Sequence, residues 1–171
     1  TDRCNFRCLY CMPEEGMEWL PREGILSFEE LERIVRVLAP MGIRKLRLTG
    51  GEPLLRRDLP RLISLLRTIE GIDDIALTTN ALLLAEQAET LQKSGLDRVN
   101  VSLDSLLRER FEQITRRDAL DRVLRGIEQA AKTFQGPLKI NAVLMRGLND
   151  EETPAFAELA RKHGHTIRFI E

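Results

Sequence analysis

The sequence predicts an α/β fold, a partial (β/α) TIM-like barrel with parallel strands inside and helices outside. Three observations carry that expectation. Five helix-like segments each run into a glycine (Gly42, Gly71, Gly95, Gly136 and Gly164), and each glycine is followed by a short apolar run. Glycine just past a helix end accepts the left-handed C-cap conformation. The five runs, 45–49, 75–79, 98–103, 139–144 and 166–170, are near-continuous Val/Ile/Leu with little alternation, as in strands buried on both faces. Helix and strand alternate throughout, so the sheet is expected to be parallel with right-handed crossovers. A closed eight-fold barrel needs about 250 residues, and the chain has 171, so the barrel is partial.

Each helix has its own local signal. Ser27-Phe28-Glu29-Glu30 reads as a capping box, with Ser27 at the cap and Glu30 reaching back. Leu31, Ile34, Val35 and Leu38 then form one apolar stripe. Leu59, Leu62, Ile63 and Leu66 form another after Asp58. Residues 104–114 predict a short extra helix ahead of a longer one at 121–134. Pro154 falls in the first turn of the last helix, where proline is tolerated. The cysteine-bearing segment at the start has no strand of its own, so a strand is expected ahead of Thr1. The chain does not start with methionine, and truncation at both ends is expected.

Composition narrows the function classes. The chain is 43% hydrophobic and 31% charged with a net charge of −1, which suits one soluble domain and gives no global field for nucleic acid or an anionic membrane. No apolar run approaches the roughly 20 residues of a membrane span. Basic charge is mostly arginine, a residue suited to bidentate phosphate contacts; genomic base composition would produce the same bias. Cys4, Cys8 and Cys11 are the only cysteines. Three clustered thiols cannot all pair within one chain, so a disulfide framework is not expected and a reducing cytoplasm is.

The C-x3-C-x2-C spacing of those cysteines is the strongest chemical signal. A closed metal site usually takes four ligands. A cubane held by three leaves one iron open to a substrate or cofactor. The strand ends are polar where the strands are not: Thr49-Gly50-Gly51-Glu52-Pro53, Thr78-Thr79-Asn80 and Ser102-Leu103-Asp104 follow the first three runs, while Lys139, Asn141 and Arg168 interrupt the last two. In parallel α/β folds, ligand sites gather at the C-terminal ends of strands.

With Tyr10 just ahead of the third cysteine and GGEP at residues 50–53, the chain resembles the radical S-adenosylmethionine (SAM) superfamily. Residues 1–8, 10–13, 47–59, 77–80, 98–104, 139–143 and 168–171 resemble more closely its GTP 3′,8-cyclase family, across almost the whole chain. The resemblance implies a radical SAM core domain over residues 1–171. In it, Cys4, Cys8 and Cys11 ligate three irons of a [4Fe-4S] cluster, and the amine and carboxylate of SAM chelate the fourth. One electron then cleaves SAM to a 5′-deoxyadenosyl radical. Tyr10 is implied near the adenine, Gly51 against the methionine moiety, and Thr78 and Ser102 as hydroxyl donors to the cofactor. Arg47 and Lys139 are implied to face GTP, which is rearranged to 3′,8-cyclo-7,8-dihydro-GTP in molybdenum cofactor biosynthesis. The implied partners are an electron donor such as flavodoxin or ferredoxin, the next pathway enzyme by product hand-off, and a second copy of the chain.

Two departures stand out. Ala81 replaces the glycine usual after Thr-Thr-Asn. The family's second three-cysteine cluster and a substrate arginine upstream of the first cysteine have no counterpart here, so one cluster and an incomplete GTP site are expected. The residues also leave alternatives open. The cysteines fit a peptide-modifying maturase with auxiliary clusters. They fit less well an iron–sulfur electron carrier, or a zinc site completed by His163 or His165. Arg47 and Lys139 could instead pair with Glu52, Asp104 or Glu171, and Arg116-Arg117 reads as solvated surface.

Overall fold

The computed structural model describes the backbone of residues 1–171 and every side chain except that of Arg22. Five strands form one parallel sheet in sequential order: β1 (Lys45–Leu48), β2 (Asp74–Thr79), β3 (Arg98–Ser102), β4 (Lys139–Val143) and β5 (Thr166–Ile170). Six helices accompany them: α1 (Phe28–Leu38), α2 (Leu59–Arg67), α3 (Leu84–Lys93), α4 (Arg108–Thr115), α5 (Leu120–Thr133) and α6 (Thr153–His163). Sequential order with right-handed crossovers puts every connection on one side of the sheet. The other side is left as the interior of a partial TIM-like barrel.

Register fixes which residues share a face. The ladder pairs Leu77 with Val99, Val101 with Ile140, and Ile140 with Ile167. These residues point outward, and Ile75, Leu77, Val101 and Ile140 are wholly buried in the core with Leu84, Leu91, Val123 and Ile127 of α3 and α5. The strands were expected to be buried on both faces, and the structure corrects that. Only β2 and β3 carry continuous buried runs, while β1 and β5 are largely exposed. Lys45 and Arg47 of β1 and Thr166 and Arg168 of β5 face inward, and both strands lie at sheet edges.

Local expectations fare differently. The Ser27–Glu30 capping box is present in both directions. Gly42, Gly71, Gly95 and Gly164 are left-handed, but Gly136 is not, and Gln135 (φ 50°) takes that conformation ahead of it. The α1 stripe is only partly covered: Leu31 and Val35 pack on the core, whereas Ile34 and Leu38 stay exposed. Ala81 keeps the left-handed turn (φ 61°) that glycine would take more cheaply. Gly126 of α5 is needed opposite that turn, because a Cβ there would lie 2.4 Å from the Ala81 carbonyl oxygen.

Candidate functional site

The cysteine loop has no regular structure and is held by what surrounds it. The last carbonyls of a helix lack intrahelical partners. Those of Thr115 and Ile114 in α4 accept the N–H groups of Arg7 and Leu9, each at 3.0 Å. Phe6 is buried edge-on against Phe111 of the same helix. Arg7 donates to the Cys4 and Phe6 carbonyls and lies over the Trp19 ring. Arg116 pairs with Glu14, and Arg117 donates to the Asn5 carbonyl. The Arg116-Arg117 pair expected on the solvated surface therefore braces this loop.

The GGEP turn docks on the same loop. Gly51 N–H donates to the Thr1 carbonyl (2.8 Å) and Glu52 N–H to that of Arg3 (2.7 Å). A Cβ on Gly51 would sit 2.3 Å from the Arg3 oxygen, so the missing side chain admits the chain segment leading to Cys4. Glu52 is buried without a cation. Its carboxylate accepts Leu54 N–H (2.9 Å), Thr79 Oγ1–H (2.7 Å) and Asn80 N–H (2.8 Å), which offsets part of the upward push that burial gives its pKa. Asn80 in turn donates to Asn5 Oδ1 (2.7 Å), and its Nδ2 lies 4.0 Å from Cys4 Sγ.

The three thiols are free. Burial pushes the Cys8 thiol up to about 12, with Asp104, Cys4 and Cys11 adding to the effect, and burial raises Cys4 as well. Bare thiolates are disfavoured there, so cations must supply the charge that deprotonates them. Among the described residues, no three Cys, His, Asp or Glu side chains converge on one point as a single ion would require. A cubane asks instead for one sulfur per iron. Three free thiols on one loop, with Phe6 N–H and Asn80 Nδ2 approaching the Cys4 sulfur as donors at 3.5 Å and 4.0 Å, are a donor set that suits such a cluster. His163 and His165 stack on each other where α6 runs into β5. They lie at the opposite ends of the strands from the cysteines.

Side chains two residues apart on a strand share a face. Arg47 pairs with Ala76, and Ala76 with Arg98. Thr78 pairs with Asn100, Asn100 with Lys139, Ser102 with Asn141, and Asn141 with Arg168. Parity puts all of these on the inward face. Four sequence-selected residues (Arg47, Thr78, Ser102 and Lys139) thus share one surface. Sequence reading noted Arg168 on its strand without a role, and it missed Arg98 and Asn100. Arg98 is paired with Asp74. Lys139 is held below the ordinary lysine value, first by Arg168, then by desolvation, Arg98 and Arg47. Two of the alternative ion-pair partners are occupied, Glu52 as above and Asp104 by Tyr10 and Val143, while Glu171, exposed at the end of β5, makes no ion pair with Arg47 or Lys139.

Tyr10 is set apart by how it is held. Its hydroxyl donates to Asp104 Oδ2 at 2.7 Å, yet the residue is 46% exposed.

Comparison with known proteins places the chain in a family. The radical SAM superfamily matches residues 1–160. The chain is 54% identical along its whole length to GTP 3′,8-cyclase of Syntrophomonas wolfei, and 48% identical to that of Listeria welshimeri. It spans about half the length of these curated relatives, 52% and 51%. Among solved structures, native anSMEcpe with bound AdoMet superimposes with a TM-score of 0.77 at 21% identity, over 99% of this chain and 49% of that one.

Proposed function

The chain belongs to the radical SAM superfamily, and from that premise we propose that it forms the radical-generating core of a GTP 3′,8-cyclase. When bound at Cys4, Cys8 and Cys11, the iron–sulfur cluster supplies one electron that splits SAM into methionine and a 5′-deoxyadenosyl radical. The residues of the chain do the positioning. The Gly50-Gly51 backbone and the Tyr10 ring bracket the cofactor next to the cysteine loop, and the Thr78 and Ser102 hydroxyls reach it from β2 and β3. Arg47 and Lys139, joined by Arg168, draw the triphosphate of GTP onto the inward face, with its ribose toward the radical. The ribose would give up a hydrogen atom to the 5′-deoxyadenosyl radical, forming deoxyadenosine; bonding of that carbon to guanine C8 would leave a radical on the base, and one further electron from the reductant with a proton would give the cyclised dihydro product, the first step toward the molybdenum cofactor.

One observation carries this reading: Arg47, Lys139 and Arg168 share the inward face with Arg98, whose own partner is Asp74, and the surrounding cations outweigh that carboxylate at Lys139. Like charges held together destabilise a fold unless an anion answers them, and a nucleoside triphosphate is such an anion. The relatives' shared name supports GTP as that nucleotide. A second three-cysteine cluster, a flavodoxin or ferredoxin donor, hand-off of product to the next enzyme, and pairing of two copies belong to the same reading.

The test is anaerobic reconstitution of the full-length protein with iron and sulfide, followed by reduction with SAM and GTP and mass spectrometry of the products. Deoxyadenosine together with a cyclised GTP is the expected result. Deoxyadenosine without GTP turnover would contradict GTP as substrate and favour peptide modification. No cleavage by a fully loaded protein would contradict the radical chemistry itself.

A further inference from the structure

An amphipathic aromatic side chain usually buries its ring and sends its polar tip to water. Tyr10 does the reverse. Its hydroxyl is bonded to a carboxylate that is only 4% exposed, while the residue as a whole is 46% exposed. The ring is thereby fixed and left open to whatever packs on it.

Asp104 is itself held through both side chain and backbone. Asp104 Oδ1 accepts Val143 N–H (2.9 Å), tying the end of β3 to the end of β4. The Asp104 carbonyl accepts Nδ2–H of the fully buried Asn149 (2.7 Å), which also donates to the Val143 carbonyl (2.8 Å) and accepts Met145 N–H (2.7 Å). The next residues are clamped by buried Glu152, which accepts Ser105 Oγ–H and Leu106 N–H, each at 2.7 Å. This rigid platform meets the otherwise irregular cysteine loop through Tyr10, one residue before Cys11.

We propose that Asp104 is a positioning residue of the cofactor site: it anchors the Tyr10 hydroxyl so that the open ring stands ready for the adenine of SAM. The proposal rests on the radical SAM reading above. Asp104 acts only through Tyr10, so the two form one unit.

The test measures SAM affinity of the full-length, reconstituted protein under anaerobic conditions, together with its iron and sulfide content. Tyr10→Phe and Asp104→Ala are each expected to raise the SAM Kd about tenfold, the loss of one charge-assisted hydrogen bond. The double variant should bind no more weakly than either single one. Asp104→Asn can still accept Val143 N–H and donate to the Tyr10 oxygen, so it should stay within about twofold of the unaltered protein. Iron and sulfide content should not change, and SAM should perturb the electron paramagnetic resonance signal of the reduced cluster less in Tyr10→Phe. Tyr10→Phe removes one hydroxyl from a half-exposed ring, so it decides the matter even if Asp104→Ala fails to fold. An unchanged Kd in Tyr10→Phe, or additive effects in the double variant, would overturn the proposal alone. An unaltered protein that binds no SAM would overturn the radical SAM reading as well.

Discussion

On the outward face of the sheet, Ile75, Leu77, Val101 and Ile140 are sealed beneath helices, whereas on the inward face the same strands present Thr78, Asn100 and Lys139, flanked by Arg47 and Arg168 from the edge strands. The outward residues are what water exclusion selects. The inward ones gather positive charge and a buried Asn100 whose Oδ1 has no partner, an arrangement that opposes stability. The contrast teaches that alternate positions of one strand can serve folding and ligand binding separately, so substitutions on the two faces should have separable effects.

The sharpest separation is expected at the cysteine loop. Cys8→Ala should abolish cluster assembly and SAM cleavage while leaving the circular dichroism of the α/β core intact. Retained cluster absorbance with normal deoxyadenosine output would remove Cys8 from the ligand set. Next come the two faces themselves. Lys139→Ala should weaken GTP binding about tenfold or more without lowering the denaturation midpoint, because it relieves repulsion from Arg168. Leu77→Ala should cost about 2–5 kcal/mol of stability by opening a core cavity, measured by urea titration. If the inward change unfolded the protein and the outward one left stability unchanged, the contrast would break.

Gly51→Ala should weaken SAM binding, since its Cβ would collide with the Arg3 carbonyl and displace the cysteine loop; calorimetry on the reconstituted protein decides this. The smallest effect is one of pH. Arg168 depresses the Lys139 pKa in the free protein, and a bound polyanion would raise it again. GTP affinity should therefore be constant below the depressed value and fall as pH rises through it. Lys139→Ala should flatten that dependence, and an equal slope in both proteins would remove Lys139 from the site.

Much of this was legible in the chain. Strand boundaries fall within about a residue of the glycine-and-apolar-run pattern, because a left-handed cap and a run of β-formers are local signals. The polar strand ends were legible as well, and register brings Thr78 and Ser102 onto one face. The bracing was not legible. Arg116 and Arg117 look like surface charges until α4 is seen to carry the cysteine loop, and Asp104 looks like a turn residue until Tyr10 arrives from 94 positions away. Glu52 looked like a partner for a cation, and instead it holds the Thr79–Asn80 turn. Such contacts depend on tertiary approach, which periodicity does not encode. Parity did encode the cations' common face, but only once register had aligned Lys139 with Asn100 and Arg168 with Asn141.

The most direct test of the central claim, that the inward face holds GTP with its ribose toward the radical, is isotope transfer. The reconstituted full-length protein would be given SAM and GTP deuterated at the ribose 3′ carbon, and the deoxyadenosine formed would be weighed by mass spectrometry. The account predicts deuterium in the deoxyadenosine. Unlabelled deoxyadenosine formed alongside intact GTP would contradict it.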